Sequence, residues 1–177
     1  MLKPLLITAL LLAAGHGTAL AADVRSVQEL DLGRYAGSWY EQASFPMYFQ
    51  RNCAGNTTAN YALQPDATIK VSNRCEKQDG TMIEAEGIAK PSGNGPAELK
   101  VRFAPAFLSW LPFVWADYWV IALDDDYQWA VVGTPNREYL WILSREKTIS
   151  AELFKQLSGK AKQQGFDISK LKMTQQT

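Results

Sequence analysis

The chain has 177 residues, and its 18 Lys and Arg balance 18 Asp and Glu, so no basic field exists to hold nucleic acid. Its single histidine, His16, falls in the leader read below. The rest therefore lacks the imidazole of Ser-His-Asp or Cys-His catalysis and of histidine-containing metal sites. Aromatic residues at 11% exclude a disordered chain and suffice for a large core or an apolar cavity.

Residues 1–22 read as a cleaved secretory signal. Lys3 gives a basic start, Pro4 to Ala14 is nearly all apolar, and Thr18-Ala19-Leu20-Ala21-Ala22 offers small residues at cleavage spacing. Gly15, His16 and Gly17 interrupt the run too early for a spanning helix. Export to the periplasm, free or against the outer membrane, is the expectation. No lipobox cysteine stands at the cleavage point, so an anchored amino terminus is not expected. Residues 23–177 then have the size of one domain.

Strand-like segments follow at 37–45, 56–63, 68–75, 82–90, 97–104, 117–123, 127–133 and 139–145. Turn chemistry separates them: Gln64-Pro65-Asp66, Gln78-Asp79-Gly80, 91–96, Asp124-Asp125-Asp126 and Gly133-Thr134-Pro135-Asn136. No helix-sized periodic segment interrupts them, which argues against parallel βαβ units. An all-β fold is expected, an eight-stranded antiparallel up-and-down barrel, because eight strands close into a small barrel. One α-helix follows the last strand. Ser150 is its N-cap, Glu152 lies in its first turn, Lys160 and Lys162 lie near its end, and Gly165 stops it. Leu153, Phe154, Leu157 and Ala161 form one stripe, which places the helix on the outside of the barrel.

Alternation assigns the faces. Ala59 with Tyr61, Ile69 with Val71, and Leu99, Val101 and Phe103 point one way, and Lys100 and Arg102 face water. The 117–123 segment is apolar on both faces, Tyr118, Val120 and Ala122 against Trp119, Ile121 and Leu123, so both are covered. Cys53 and Cys75, in an exported chain, read by default as a disulfide. Each lies about 11 residues from Gln64, so they oppose each other across the second hairpin. A free thiol is the alternative, and nothing in the sequence activates one. Asn56-Thr57-Thr58 matches a glycosylation sequon and is read as a strand start.

Three regions then carry a family resemblance. Gly37-Ser38-Trp39-Tyr40-Glu41 opens the first strand, Asp124 and Tyr127 mark the turn between the sixth and seventh, and Leu143-Ser144-Arg145 ends the eighth. In this order, with Tyr139 to Arg145 and Thr148-Ile149-Ser150, they resemble the lipocalin family, in its bacterial and apolipoprotein D-like branch. A meander brings all three regions to one end. Trp39 would plug the barrel floor and Arg145 would lie across its ring, a contact worth roughly 0.5–2 kcal/mol. Gly37, Trp39, Asp124, Tyr127 and Arg145 are thus read as holding the fold. The resemblance implies binding, storage or transport of a small amphipathic lipid, a fatty acid or a lysophospholipid, for envelope maintenance.

Function is then expected at the opposite end, among the connections 46–55, 76–81, 105–116 and 134–138. Two are greasy. One carries Pro46, Met47, Tyr48 and Phe49, and the other runs from Phe107 to Trp115 through Trp110. They read as a mouth lining that touches the ligand, as a membrane-surface contact, or as a homodimer face or lid. Glu41 shares the Trp39 face, points inward, and needs a partner. It either receives a head group together with Tyr61 or Tyr118, or belongs to a network that fixes the core. The lipid-contacting set is Glu41, Phe45, Ala59, Tyr61, Val71, Val101 and Phe103, with Phe107, Trp110, Tyr118, Val120, Tyr139 and Trp141. No catalytic residue, metal or cofactor is assigned. The alternatives are an enzyme acting on a lipophilic substrate, with Glu41 as its acid, and a structural barrel filled by Tyr61, Phe103, Tyr118, Tyr139 and Trp141.

Overall fold

The structure, a computed structural model, describes residues 23–177; the leader reading of 1–22 lies outside them. Its strands are β1 (Gly37–Ser44), β2 (Gly55–Leu63), β3 (Ile69–Glu76), β4 (Met82–Pro91), β5 (Glu98–Arg102), β6 (Ala116–Leu123), β7 (Trp129–Gly133), β8 (Leu140–Ser144) and β9 (Lys172–Met173). A short helix α1 (Leu32–Tyr35) precedes them, and α2 (Ala151–Gln163) follows β8. Consecutive strands pair antiparallel from β1 through to β8, and β1 also pairs with β8, so the sheet closes. This is the expected eight-stranded barrel, with every expected strand end within two residues of the observed one.

The hairpins close through short side chains. Asp66 Oδ1 accepts from Thr68 N and Oγ1 at 3.0 and 2.6 Å, and Asp79 Oδ1 accepts from Thr81 N and Oγ1 at 2.9 and 2.6 Å. The threonine hydroxyls, followed by the backbone donors, hold both carboxyls below the usual carboxylate range.

The pleat sorts apolar residues into two clusters. Trp39, Tyr61, Val71, Leu99, Val132 and Leu143 belong to the interior. Val131, Leu140, Ile142, Leu157, Ala161 and Phe166 pack between the outer barrel face and α2. Ser150 caps α2 by accepting from Leu153 N at 3.1 Å. Gly165 takes the left-handed φ of 84° that ends it.

Two register shifts overturn simple alternation. One falls in β1 between Glu41 and Ala43, against β8, and the other in β6 between Val120 and Ala122. The first turns Phe45 outward, where its ring meets Phe166 at 6.3 Å, so Phe45 does not face ligand space. The second sends Ala122 to the α2 side and Leu123 to the interior. Val120 faces inward as expected. It is fully buried in the packed base rather than on the cavity wall. Arg102, expected in water, is only 8% exposed. The connection after β5 folds back over it: Arg102 donates to the carbonyls of Ala104 and Pro105 at 2.8 and 2.5 Å, under the Trp115 ring at 5.2 Å.

Both termini add what periodicity could not show. Val27, Leu30 and Leu32 pack beneath the interior cluster, and Val27 N donates to Val120 O at 2.8 Å, beside the residue that precedes β5. At the other end of the barrel, β1 and β2 pair only from Gly37 to Tyr40. The carboxy-terminal tail enters the gap above. β9 pairs with Ala43 and Ser44, Thr174 N donates to Gln42 O at 2.9 Å, and Asn56 N donates to Gln175 O at 2.7 Å.

Candidate functional site

One end of the barrel is sealed. Trp39 is fully buried, and its Nε1 donates to Tyr35 O at 2.9 Å. The Arg145 guanidinium lies 3.8 Å from the Trp39 ring centre. It also donates to the carbonyls of Ser38, Arg34, Tyr35, Ala36 and Tyr127, at 2.8 to 3.2 Å. A cation thus closes α1, β1 and the β6–β7 turn together, with no carboxylate partner among the described residues. Gly37 has φ 94°, and a Cβ there would stand 3.3 Å from Arg145 Nη1, so the position suits glycine. In the turn, Asp124 Oδ2 accepts from Asp126 N and Gln128 N, both at 3.2 Å. Tyr127 Oη accepts from Asp31 N at 2.9 Å. The five motif residues meet at this floor.

Above the floor lies a cavity of about 470 Å³, open at the far end. Its wall carries Glu41, Ala59, Tyr61, Val71, Val101, Phe103, Tyr118, Tyr139 and Trp141, all named from the sequence. The bulky rings line the space without filling it, which overturns the filled-barrel alternative. Phe107 and Trp110 stand outside the wall, 75% and 76% exposed, on the mouth connection. Phe49, Tyr48 and Phe113 are exposed around the same end, and Phe49 reaches the wall beside Tyr139, with ring centres 5.7 Å apart.

The polar groups are few. Glu41 is 5% exposed, and its carboxylate accepts from Ser44 Oγ at 3.1 Å, Gln50 Nε2 at 3.0 Å and Thr174 Oγ1 at 2.6 Å. Neither expected tyrosine bonds it. The network ties β1, the 45–54 connection and the tail together, and Glu41 borders both the cavity and an outer groove of about 400 Å³ beneath that connection. The tyrosines bond one another instead, deeper in the barrel. Desolvation pushes Tyr61 up to about 12 and carries Tyr35 and Tyr118 well above their usual value.

Cys53 and Cys75 form the disulfide, with Cα atoms 5.5 Å apart. Cys75 is on β3, and Cys53 lies just before β2, so the bridge pins the 45–54 connection to the mouth. Sequence reasoning passed over Leu99, Asn73, Arg74 and Asp117 on the wall, although it placed Leu99 on the inward face. Asn73 was legible too, since it continues the inward phase of Ile69 and Val71. Asp117 pairs with Lys100 at 2.5 Å, and Arg74 stands 3.7 Å from Glu84. Tyr35 carried no periodic signal, because α1 has only four residues.

A family model described as a lipocalin-like domain matches residues 30–176. Temperature-induced lipocalin-1 of Arabidopsis thaliana is 44% identical over 157 residues, covering 88% of this chain and 84% of that protein. Outer membrane lipoprotein Blc of Escherichia coli K12 is 40% identical over 155 residues, covering 86% and 83%. Among solved structures, insecticyanin from the tobacco hornworm Manduca sexta superposes with a TM-score of 0.68 at 21% identity, covering 89% of this chain and 87% of that one.

Proposed function

The chain belongs to the lipocalin-like domain family, and on that premise we propose that it binds and carries one small amphipathic lipid, a fatty acid or a lysophospholipid. The observation that carries this reading is the apolar-walled cavity of about 470 Å³, sealed at Trp39 and open among exposed aromatic residues. Its volume lies within the roughly 300–1,000 Å³ of small-molecule sites. An acyl chain of about 16 carbons gains about 0.8 kcal/mol per buried methylene, about 12 kcal/mol gross. Association and ordering remove much of this, which leaves micromolar to submicromolar affinity. No covalent step is assigned.

The leader reading and the relative named as an outer membrane lipoprotein support a wider setting. The protein is exported, works in the periplasm or against the outer membrane, and moves lipid for envelope maintenance. The mouth aromatics touch the membrane surface when lipid is taken up, since exposed apolar patches of this kind mark contact sites. Native mass spectrometry of protein purified from its own envelope should show a one-to-one adduct of lipid mass on a chain shortened by the leader. Titration with a fluorescent fatty acid should saturate at one equivalent. A flat titration defeats the reading.

A further inference from the structure

Three phenols meet at the closed end of the cavity. Tyr118 Oη lies 2.7 Å from Tyr35 Oη and 2.8 Å from Tyr61 Oη. Each phenol has one proton to donate and can also accept. Two contacts among three hydroxyls use two protons, so one is always left over. Among the described residues no other polar group bonds these hydroxyls. Tyr35 is shut beneath the floor, with its ring 5.0 Å from Trp39, and does not line the cavity. If Tyr35 only accepted, its own proton would be buried without a partner, so Tyr35 donates to Tyr118 and the surplus proton falls to Tyr61 or Tyr118, both of which line the cavity. Burial keeps all three phenols protonated at neutral pH, so the donor persists.

A matching acceptor stands on the wall above. Val71 pairs directly with Tyr61, so Asn73 is the diagonal neighbour, about 7–8 Å along the sheet. Asn73 lines the cavity, and its Oδ1 is buried with no hydrogen-bond partner among the described residues. Unpaired buried oxygens are rare in folded proteins and call for an explanation.

A plain acyl chain would satisfy neither group. Among the described residues a carboxylate would find no free counter-charge here, because Arg145 is spent on the Trp39 ring and five carbonyls, and Arg74, the arginine on the wall, pairs with Glu84 at 3.7 Å. A neutral hydroxyl fits both, accepting from the phenol and donating to the amide oxygen. Resting on the lipid-binding reading above, we infer that Tyr61, Tyr118 and Asn73 form a polar subsite inside the barrel. It takes an uncharged hydroxyl on the buried part of the ligand, so that the protein selects hydroxylated lipids over their plain counterparts.

The test is displacement of a fluorescent fatty acid from the delipidated full chain. The competitors are octadecanoic acid and its 12-hydroxy, 18-hydroxy and 12-oxo derivatives. At least one hydroxy acid should bind about three- to tenfold tighter than octadecanoic acid, with the oxo acid, which can only accept, in between. Tyr61→Phe alone would leave Tyr118 a spare proton, so the phenol arm uses Tyr61→Phe with Tyr118→Phe, and this preference should vanish there. In Asn73→Leu the hydroxy acid should fall to the level of the oxo acid. Each ratio is taken within one protein, so a general loss of affinity or stability does not imitate the effect. The inference is overturned if no hydroxy acid is preferred by the unaltered protein, or if the preference survives both variants. Failure of all four lipids to displace the probe would instead sink the lipid-binding reading itself.

Discussion

Arg145 shows how much one side chain can hold. It stacks on Trp39 and donates to five carbonyls from three segments. Arg145→Ala leaves those oxygens short of a donor at a buried floor, and the cost should be about 2–4 kcal/mol by urea unfolding. Fatty-acid affinity, read at the other end, should stay within about twofold when measured below the unfolding transition. The buried phenols make a separate prediction. An unfolded tyrosine titrates near 10, and Tyr61 in the fold is pushed up to about 12. Its neutral form is thus favoured by folding. That stability is fully present below pH 10 and is lost as pH climbs toward 12, at up to about 1.4 kcal/mol per pH unit for each such group. Urea midpoints between pH 8 and 11.5 should fall, and fall less steeply in the Tyr61→Phe, Tyr118→Phe variant. An unchanged slope would refute the account.

At the scale of elements, the 103–115 connection combines restraint with exposure. Two short 3-10 turns (Ala106–Leu108 and Pro112–Val114) and the bond from Trp115 Nε1 to Ser109 O at 2.8 Å shape it. Phe107, Trp110 and Phe113 nevertheless remain 75–80% exposed. Replacing Trp110 and Phe113 together by serine removes two rings from the proposed membrane contact. Co-sedimentation with anionic phospholipid vesicles should weaken at least tenfold, while affinity for a fatty acid offered in solution is kept. Equal co-sedimentation would remove the membrane contact from the proposal. The tail is the other element of consequence. It fills the split between β1 and β2 and supplies Thr174 to the Glu41 carboxylate. Glu41 is therefore bonded within the wall, away from the tyrosines expected to share a head group with it.

For the whole molecule, what matters is the unfilled space. Ala59 sits at mid-height on β2, opposite Trp39 on one side and Asn73 on the other. Ala59→Trp puts a large ring into ligand space, where an empty apolar wall can receive it. Lipid binding should drop more than tenfold, with a thermal midpoint within a few degrees of the unaltered protein. Retained binding would place the ligand elsewhere. The barrel was legible because its strands are short, alternate cleanly and are separated by Asp, Gly and Pro turns, all local signals. The floor was legible because a meander carries the first strand, the sixth turn and the last strand to one end. Nine of the thirteen lipid-contact candidates stand on the cavity wall for the same reason. Phe45 was lost to a bulge, which reverses the side of every later residue at no visible cost in composition. The Thr174–Glu41 bond and the Tyr35–Tyr118 contact join residues 133 and 83 positions apart, and the tail and α1 are segments without a period. The strands, their meander order and the closed end are legible along the chain, since each follows from neighbouring residues. Which polar groups are left unspent at the cavity is set by the folded packing, because a hydrogen bond is satisfied by whatever stands within reach in space.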